Sequence, residues 1–226
     1  MKSVILLLLS LAQPSTASIL LDNFDRPDAD NLGPNWTARA GNAEIIGNRA
    51  EALGGQRFPN LVTYNNYTTN ATSVDVFDQG TGMAAYIALV LNYQDLANNY
   101  FIKIQDSVTG TAFETYGFYY GNNGTGLFGS LITPITSGTI TATVAGTFAI
   151  LDVLPTSGAR QVYTYNFGRE TGGNGIGLGF YGGVQGDDFA DAVPEPCTVI
   201  SIISCVVGLA CCRRYRTMRQ KKSRRA

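Results

Sequence analysis

The stretch TITATVA at residues 139–145 carries the clearest structural pattern in the chain, because threonine alternates strictly with apolar residues. This period of two predicts a β-strand with Ile140, Ala142 and Val144 on one face and the threonines on the other. Gly146 ends the run, and further apolar runs follow it after short turns. The pattern predicts consecutive antiparallel strands at this point of the chain.

The same pattern extends over the rest of the body. Residues 84–91 are nearly all apolar, as in a central strand buried on both faces, and in the run 100–105 Tyr100, Ile102 and Ile104 share one face. Fourteen short strands are predicted, with turn signals about every ten residues and no helix. They cover residues 19–24, 36–40, 43–46, 49–53, 60–64, 71–77, 84–92, 100–105, 113–120, 139–145, 147–154, 160–167, 176–181 and 187–191. This predicts an all-β fold, either an antiparallel two-sheet sandwich or a barrel.

Composition excludes several kinds of site. The chain has 226 residues and no histidine, which removes Ser-His and Cys-His catalytic pairs and the commonest zinc ligand. All four cysteines fall near the C-terminus, so no disulfide framework holds the body together. They are Cys197, Cys205, Cys211 and Cys212.

Charge is distributed unevenly along the chain, although the net charge is only −1. Lys2 and the last fourteen residues hold nine of the 16 cations, and the rest holds seven cations against all 17 acidic residues, a net charge of −10. An acidic body argues against nucleic acid as a partner. A basic segment beside an apolar run indicates an anionic membrane face.

The N-terminus has the features of a secretory signal peptide. A short basic start at Lys2 precedes the apolar run 4–9, and small residues at Ser15 and Ala17 fit a cleavage site. We therefore predict a signal peptide at residues 1–17 and a body at residues 18–192. The alternative, an uncleaved anchor helix, requires a longer apolar run to cross a bilayer.

The C-terminus has three parts: Val193-Pro194-Glu195-Pro196, an uncharged run at residues 197–212, and a basic tail at residues 213–226. As a helix, the run would be about 24 Å long, shorter than the ~30 Å hydrocarbon core of a bilayer. It is predicted to be one short transmembrane helix, with the tail on the cytoplasmic side and the body outside. The residues that fix this orientation begin with Arg213, Arg214 and Arg216.

This order of motif, span and basic end resembles the PEP-CTERM sorting signal of exopolysaccharide-producing bacteria. The resemblance implies recognition by exosortase, a membrane enzyme that removes the C-terminal part close to Pro196. Cys197 departs from the pattern, since a small residue such as serine is usual there. The alternative is a permanent single-span anchor.

The body resembles a LamG-like, concanavalin A-like jelly roll. The resemblance rests on Leu-Asp-Asn-Phe-Asp-Arg-Pro at residues 21–27, Leu-Gly-Pro-Asn-Trp at 32–36, Gly-Leu-Gly-Phe at 177–180 and Asp-Asp-Phe at 187–189. It implies that the last strand returns to pair with the first. Glycoside hydrolases of this type carry Glu-x-Asp-x-x-Glu on a central strand, and no such string occurs here. We therefore predict that the protein is not an enzyme.

Acidic residues near both ends of the body suggest a calcium site. Asp22 and Asp25 would come close to Asp187 and Asp188 if the first and last strands pair, and carboxylate oxygens suit Ca²⁺. Under the alternative interpretation, these residues only cap strand ends and turns. No other cofactor is predicted.

Aromatic residues suggest a carbohydrate-binding site. The candidates for stacking on sugar faces are Trp36, Tyr64, Tyr67, Tyr93, Tyr116, Tyr119 and Tyr120, of which we select Trp36, Tyr116 and Tyr120. Under the alternative, these side chains fill the core or form cross-strand pairs.

Taken together, the sequence predicts an exported, exosortase-sorted protein of the cell surface or extracellular matrix. It would be anchored in the membrane before processing, and its β-sandwich would be a non-catalytic binding or structural module. The expected partners are exosortase, the secretion machinery, the membrane and exopolysaccharide. The alternative function is a lectin-like carbohydrate-binding module that uses calcium, and a glycoside hydrolase ranks third.

Overall fold

The computed structural model describes residues 18–53, 60–79, 84–106, 110–121 and 126–192. The predicted signal peptide (1–17), sorting motif (193–196), transmembrane helix (197–212) and basic tail (213–226) lie outside the described residues. In the described part of the chain, no helix has the length and apolar character that crossing a membrane requires. The strands are β1 Ile19–Asp22, β2 Trp36–Ala40, β3 Ala43–Ile46, β4 Arg49–Ala52, β5 Asn60–Tyr64, β6 Ala71–Phe77, β7 Tyr86–Tyr93, β8 Tyr100–Asp106, β9 Phe113–Tyr120, β10 Gly126–Ile135, β11 Ser137–Ala145, β12 Phe148–Pro155, β13 Gln161–Asn166, β14 Gly175–Tyr181 and β15 Gln185–Asp191.

The strands form two antiparallel sheets packed as a jelly-roll-like sandwich. One sheet has the order β13-β12-β11-β6-β15-β4-β3, with β1 also paired to β15, and contains eight strands. The other has the order β10-β9-β8-β7-β14-β5-β2 and contains seven. The prediction of an all-β antiparallel sandwich is confirmed.

The TITATVA stretch becomes β11, inside the eight-stranded sheet. It pairs with β12 on one side and with β6 on the other. Ile140 and Ala142 are fully buried and Val144 nearly so, whereas the three threonines are half-buried on the opposite side. The alternation therefore reports the burial of each position directly.

Strand β10 is absent from the sequence-based prediction. Its residues include Gly126, Gly129 and Pro134, which weaken a strand signal. The structure places β10 at the edge of the seven-stranded sheet, where a proline is tolerated because one side of the strand makes no ladder hydrogen bonds.

The first and last strands of the body pair, as the jelly-roll resemblance implies. Ile19 lies opposite Asp191, and Leu20 lies opposite Ala190. Residues 18–192 form one compact unit with its own core between the two sheets. Its largest fully buried side chains include Phe24, Phe113, Phe118, Phe180 and Phe189.

Candidate functional site

The seven-stranded sheet has a second apolar surface on the side that faces away from the core. Strand β7 shows the division: its odd-numbered residues from 87 to 91 enter the main core, whereas Tyr86, Ala88 and Val90 belong to a separate cluster with Leu61 and Phe101. We call this side the outer face. Its positions on β2, β5, β7, β8, β9 and β14 are Thr37, Arg39, Leu61, Thr63, Tyr86, Ala88, Val90, Tyr93, Phe101, Lys103, Gln105, Thr115, Gly117, Tyr119, Gly175, Gly177, Gly179 and Tyr181.

Three of the four outer-face positions of β14 are glycines, and the strand lies in the middle of the sheet. A Cβ atom on Gly177 would lie 2.0 Å from the carbonyl oxygen of Val62. A Cβ atom on Gly179 would lie 2.5 Å from the ring of Phe101, which reaches over it from β8. Glycine is therefore required there because neighbouring backbone and aromatic side chains approach the strand closely.

Two irregularities in the strand pairing direct side chains onto the outer face. In β7, one extra residue lies between the pairs Val90–Gly177 and Tyr93–Gly175, so the alternation shifts and Tyr93 lies on the same face as Val90. A similar shift occurs in β2 at Arg39. The Arg39 guanidinium carbon lies 5.6 Å from the centre of the Tyr93 ring, so the two side chains meet above β5 and β14.

A groove of about 710 Å³ opens beside this Arg39–Tyr93 contact. Arg39 donates a hydrogen bond from Nε to the Thr63 hydroxyl, and the Thr37 hydroxyl donates one to the Asn65 side chain. The groove therefore combines an aromatic ring, a cation and several amides and hydroxyls. Its lining residues are Thr37, Arg39, Thr63, Tyr64, Asn65, Asn66, Tyr67, Thr68, Tyr93, Gln94, Asp95, Asn174 and Gly175.

Lys103 occupies the other half of the outer face, among tyrosines. Its ammonium lies 4.3 Å from the ring centre of Tyr86 and 5.1 Å from that of Tyr119, and it donates a hydrogen bond to the side-chain oxygen of Gln105. The Tyr86 ring stacks on Tyr181 with a centroid distance of 5.5 Å. Burial of the ammonium lowers the pKa of Lys103 to about 8.

Trp36, Tyr116 and Tyr120, the residues selected for sugar binding, are core or half-buried residues. Trp36 and Tyr120 are each 8 % exposed, and Tyr116 stacks against Tyr163 at a centroid distance of 3.9 Å. One edge of Trp36 reaches a smaller cavity of about 340 Å³ at the border of the sheet. Their rings are largely used in packing, and the outer face is built from other aromatic residues.

Two members of the wider aromatic set, Tyr93 and Tyr119, do lie on the outer face. Sequence reasoning missed Arg39, Tyr86, Lys103 and Tyr181. A signal for Lys103 was present, because it alternates with the core residues Ile102 and Ile104 and must therefore point to the opposite side of β8.

Asp22, the first predicted calcium ligand, has its carboxylate fully engaged by hydrogen-bond donors. Arg26 binds both oxygens, at 2.7 and 3.0 Å, and the Trp36 indole and the Phe24 amide donate one bond each. Burial opposes ionisation of this carboxyl, but the bonds from Arg26, Trp36 and Phe24 outweigh it and lower the pKa of Asp22.

Among the described residues, the hydrogen bonds of this network involve none of the other predicted calcium ligands. Asp25 is exposed, Asp187 lies opposite Asp75 in the β15–β6 pair, and the exposed Asp188 has a left-handed backbone with φ of 46°. Burial, with the nearby charge of Asp188, raises the pKa of Asp187. No group of three or more metal-ligating side chains occurs in the described part of the chain. Calcium binding stays a prediction.

Asp106 at the end of β8 is a buried carboxyl of a different kind. It is 1 % exposed, and neither of its oxygens accepts a hydrogen bond from the described residues. Burial, followed by the nearby charge of Asp78, raises its pKa to about 6. It lies outside the outer face and takes no part in the groove.

No protein-family model and no curated protein matches the chain. Among solved structures, it is similar to a carbohydrate-binding module from Bacillus subtilis (11 % identity, TM-score 0.47, 70 % of this chain and 92 % of that one). It is also similar to a β-glucanase from Bacillus licheniformis (10 % identity, TM-score 0.49, 80 % and 100 %). A legume lectin-like domain from Entamoeba histolytica gives 8 % identity, a TM-score of 0.47 and coverages of 70 % and 91 %. At these values, the function has to be argued from the residues of this chain.

Proposed function

We propose that the protein is an exported, non-catalytic binding module whose outer face holds a polysaccharide at the cell surface or in the extracellular matrix. The observation that carries this proposal is the groove beside the Arg39–Tyr93 contact. Sugars present apolar C–H faces and rings of hydroxyls, so a site for them needs an aromatic surface surrounded by hydrogen-bonding groups. The groove provides both, on strands of a packed sheet.

The groove favours binding over hydrolysis. Glycoside hydrolysis uses two carboxyl groups on opposite sides of the scissile bond. Among the described lining residues, Asp95 is the one carboxylate, and hydrogen bonds from Asn98 and Ala97 occupy it. These bonds lower the pKa of Asp95, whereas a general acid needs a raised pKa.

A glycan array followed by calorimetry tests the binding proposal. We expect residues 18–192 to bind at least one polysaccharide, and Tyr93→Ala to weaken that binding about tenfold or more, because the aromatic surface is lost. Tyr93→Phe keeps the ring and should bind as the unmodified protein does. Phe148→Ala, on the outward side of the other sheet, is the matched control. Absence of binding to every glycan on the array, or an unchanged affinity of Tyr93→Ala, would contradict the proposal.

We propose further that the C-terminal segment is a sorting signal removed close to Pro196. Support comes from the order of the Pro-Glu-Pro motif, the short uncharged run and the basic tail. As a helix, an uncharged run of sixteen residues is shorter than the hydrocarbon core of a bilayer, which disfavours a permanent transmembrane anchor. The intact mass of the mature protein tests this: we expect a chain without residues 213–226, and a mass that includes them would establish a retained anchor.

A further inference from the structure

The charges on the outer face differ in sign from those of the body around it. Of the outer-face positions named above, two carry a cation, Arg39 and Lys103, and none carries an acid. Asp95, in the loop after β7, also lines the groove, and its carboxylate accepts hydrogen bonds from Ala97 and Asn98. The chain outside Lys2 and the C-terminal tail is nevertheless acidic, with a net charge of −10. A sheet face without acids in such a protein creates a local positive potential beside polar groups.

Lys103 is the more informative of the two cations. It is the one lysine of residues 18–192, and burial of its ammonium disfavours the charged form. The ion pairs among the described residues are Arg26–Asp22 and Arg160–Asp152, so no carboxylate of the described chain lies within 4 Å of this ammonium. Tyr86 and Tyr119 compensate part of the cost through their ring faces. An anion from outside would complete the site.

The two cations are placed for an extended ligand. Lys103 pairs with Ala88, which lies opposite Gly179, and the row continues through Leu61 to Ala40, the neighbour of Arg39. The two cations therefore lie at about the same level of the sheet, four strand spacings apart. At about 4.8 Å per spacing, their Cα atoms are about 19 Å apart. One small anion cannot reach both, whereas a chain with repeated charges can.

We propose that the outer face recognises an acidic polysaccharide that runs across the strands and places carboxylate groups against Lys103 and Arg39. This inference rests on the proposed binding function and specifies its ligand class. Arg39 offers a planar donor group, and Lys103 offers a compact charge held among tyrosine rings. The half-buried ring of Tyr119 lies beside Lys103, and the half-buried ring of Tyr181 stacks on Tyr86. Both rings provide apolar contact for the sugar units.

The test compares polygalacturonate with the same polymer after methyl esterification, which removes the charges and keeps the backbone. Calorimetry uses residues 18–192, because the basic tail of the full chain would itself attract a polyanion. We expect at least tenfold tighter binding of polygalacturonate and a steady loss of affinity with salt. Lys103→Gln and Arg39→Gln should each weaken binding about fivefold or more. Arg160→Gln, on the other sheet, should leave it unchanged.

The pH dependence gives a second readout. Lys103 loses its charge above a pKa of about 8, so affinity should fall as the pH rises from 7 to 9. Tyr86 and Tyr119, which face it from β7 and β9, stay neutral in this range because burial raises both pKa values. Lys103→Arg should keep binding and remove the pH dependence.

The outcomes separate this inference from the proposed function. Equal affinity for both polymers, or binding that is insensitive to Lys103→Gln and Arg39→Gln, overturns the acidic ligand and leaves a glycan-binding face. Binding of neutral glycans without binding of polygalacturonate also overturns the acidic ligand and leaves a glycan-binding face. Absence of binding to either polymer and to every glycan of the array overturns both.

Discussion

The outward sides of the two sheets of this sandwich handle charge in opposite ways. On the eight-stranded sheet, Arg160 binds Asp152, and the Thr139 hydroxyl donates to Asp75 at 2.5 Å. On the seven-stranded sheet, the outer face carries two cations, no acid, and glycines where side chains would be expected. On the first surface, these polar side chains bind one another. The second presents two cations that form no ion pair with a carboxylate of the described residues.

The largest test of this difference places an alanine at one central strand position on each side. Gly177→Ala should lower the free energy of unfolding by about 2–3 kcal/mol, because its Cβ would lie 2.0 Å from a backbone oxygen of β5. Thr141→Ala, in the middle of β11 on the other sheet, should change it by less than about 0.5 kcal/mol. Urea unfolding of both variants measures the contrast, and a Gly177→Ala protein of unchanged stability would show that β14 does not need glycine.

A second test removes one cation from each side. Lys103→Met should raise the free energy of unfolding by about 1–2 kcal/mol at pH 7, because a desolvated charge without a carboxylate partner is removed. Arg160→Met should lower it by up to about 1 kcal/mol, because it breaks an ion pair. The two substitutions should therefore shift the thermal unfolding temperature in opposite directions, upward for Lys103→Met and downward for Arg160→Met. A destabilised Lys103→Met protein would mean that the tyrosine rings alone stabilise the ammonium.

The pH dependence of stability follows from the same lysine. Its folded-state pKa of about 8 lies below the ordinary value of 10.5, so between these values the unfolded chain binds more protons than the folded one. The contribution of Lys103 to stability therefore improves as the pH rises through this window. The gain in the free energy of unfolding from Lys103→Met should therefore become smaller between pH 8 and 10. Urea unfolding of both proteins at several pH values measures this change.

The smallest expected effect concerns one aromatic residue on each side. The rings of Tyr181 and Tyr86 are stacked, with 12° between their planes. Tyr181→Ala removes this stack and should lower the free energy of unfolding by about 1 kcal/mol. Phe148→Ala, on a side chain that is 39 % exposed, should cost less than about 0.5 kcal/mol. Equal costs in urea unfolding would show that the tyrosine stack contributes no more than an exposed ring.

Local patterns predicted most of the strands, because burial on a strand follows the alternation of its residues, as in β11. They did not predict the outer face, because it depends on strand order: β7 and β14 are neighbours although more than eighty residues separate them. The pairing irregularities in β7 and β2 also place Tyr93 and Arg39 on the outer face, which strict alternation along these strands does not predict. Trp36, a candidate for sugar stacking, lies in the core instead, because its indole donates a hydrogen bond to the buried carboxylate of Asp22.

The position of β15 has a consequence for the order of events during folding. This last strand lies between β6 on one side and β4 and β1 on the other, so the eight-stranded sheet stays divided until residue 191 is available. Such distant pairings make folding slow. A chain that emerges from a narrow channel with its N-terminus first would therefore remain open, and within reach of proteases and chaperones, until its final strand arrives.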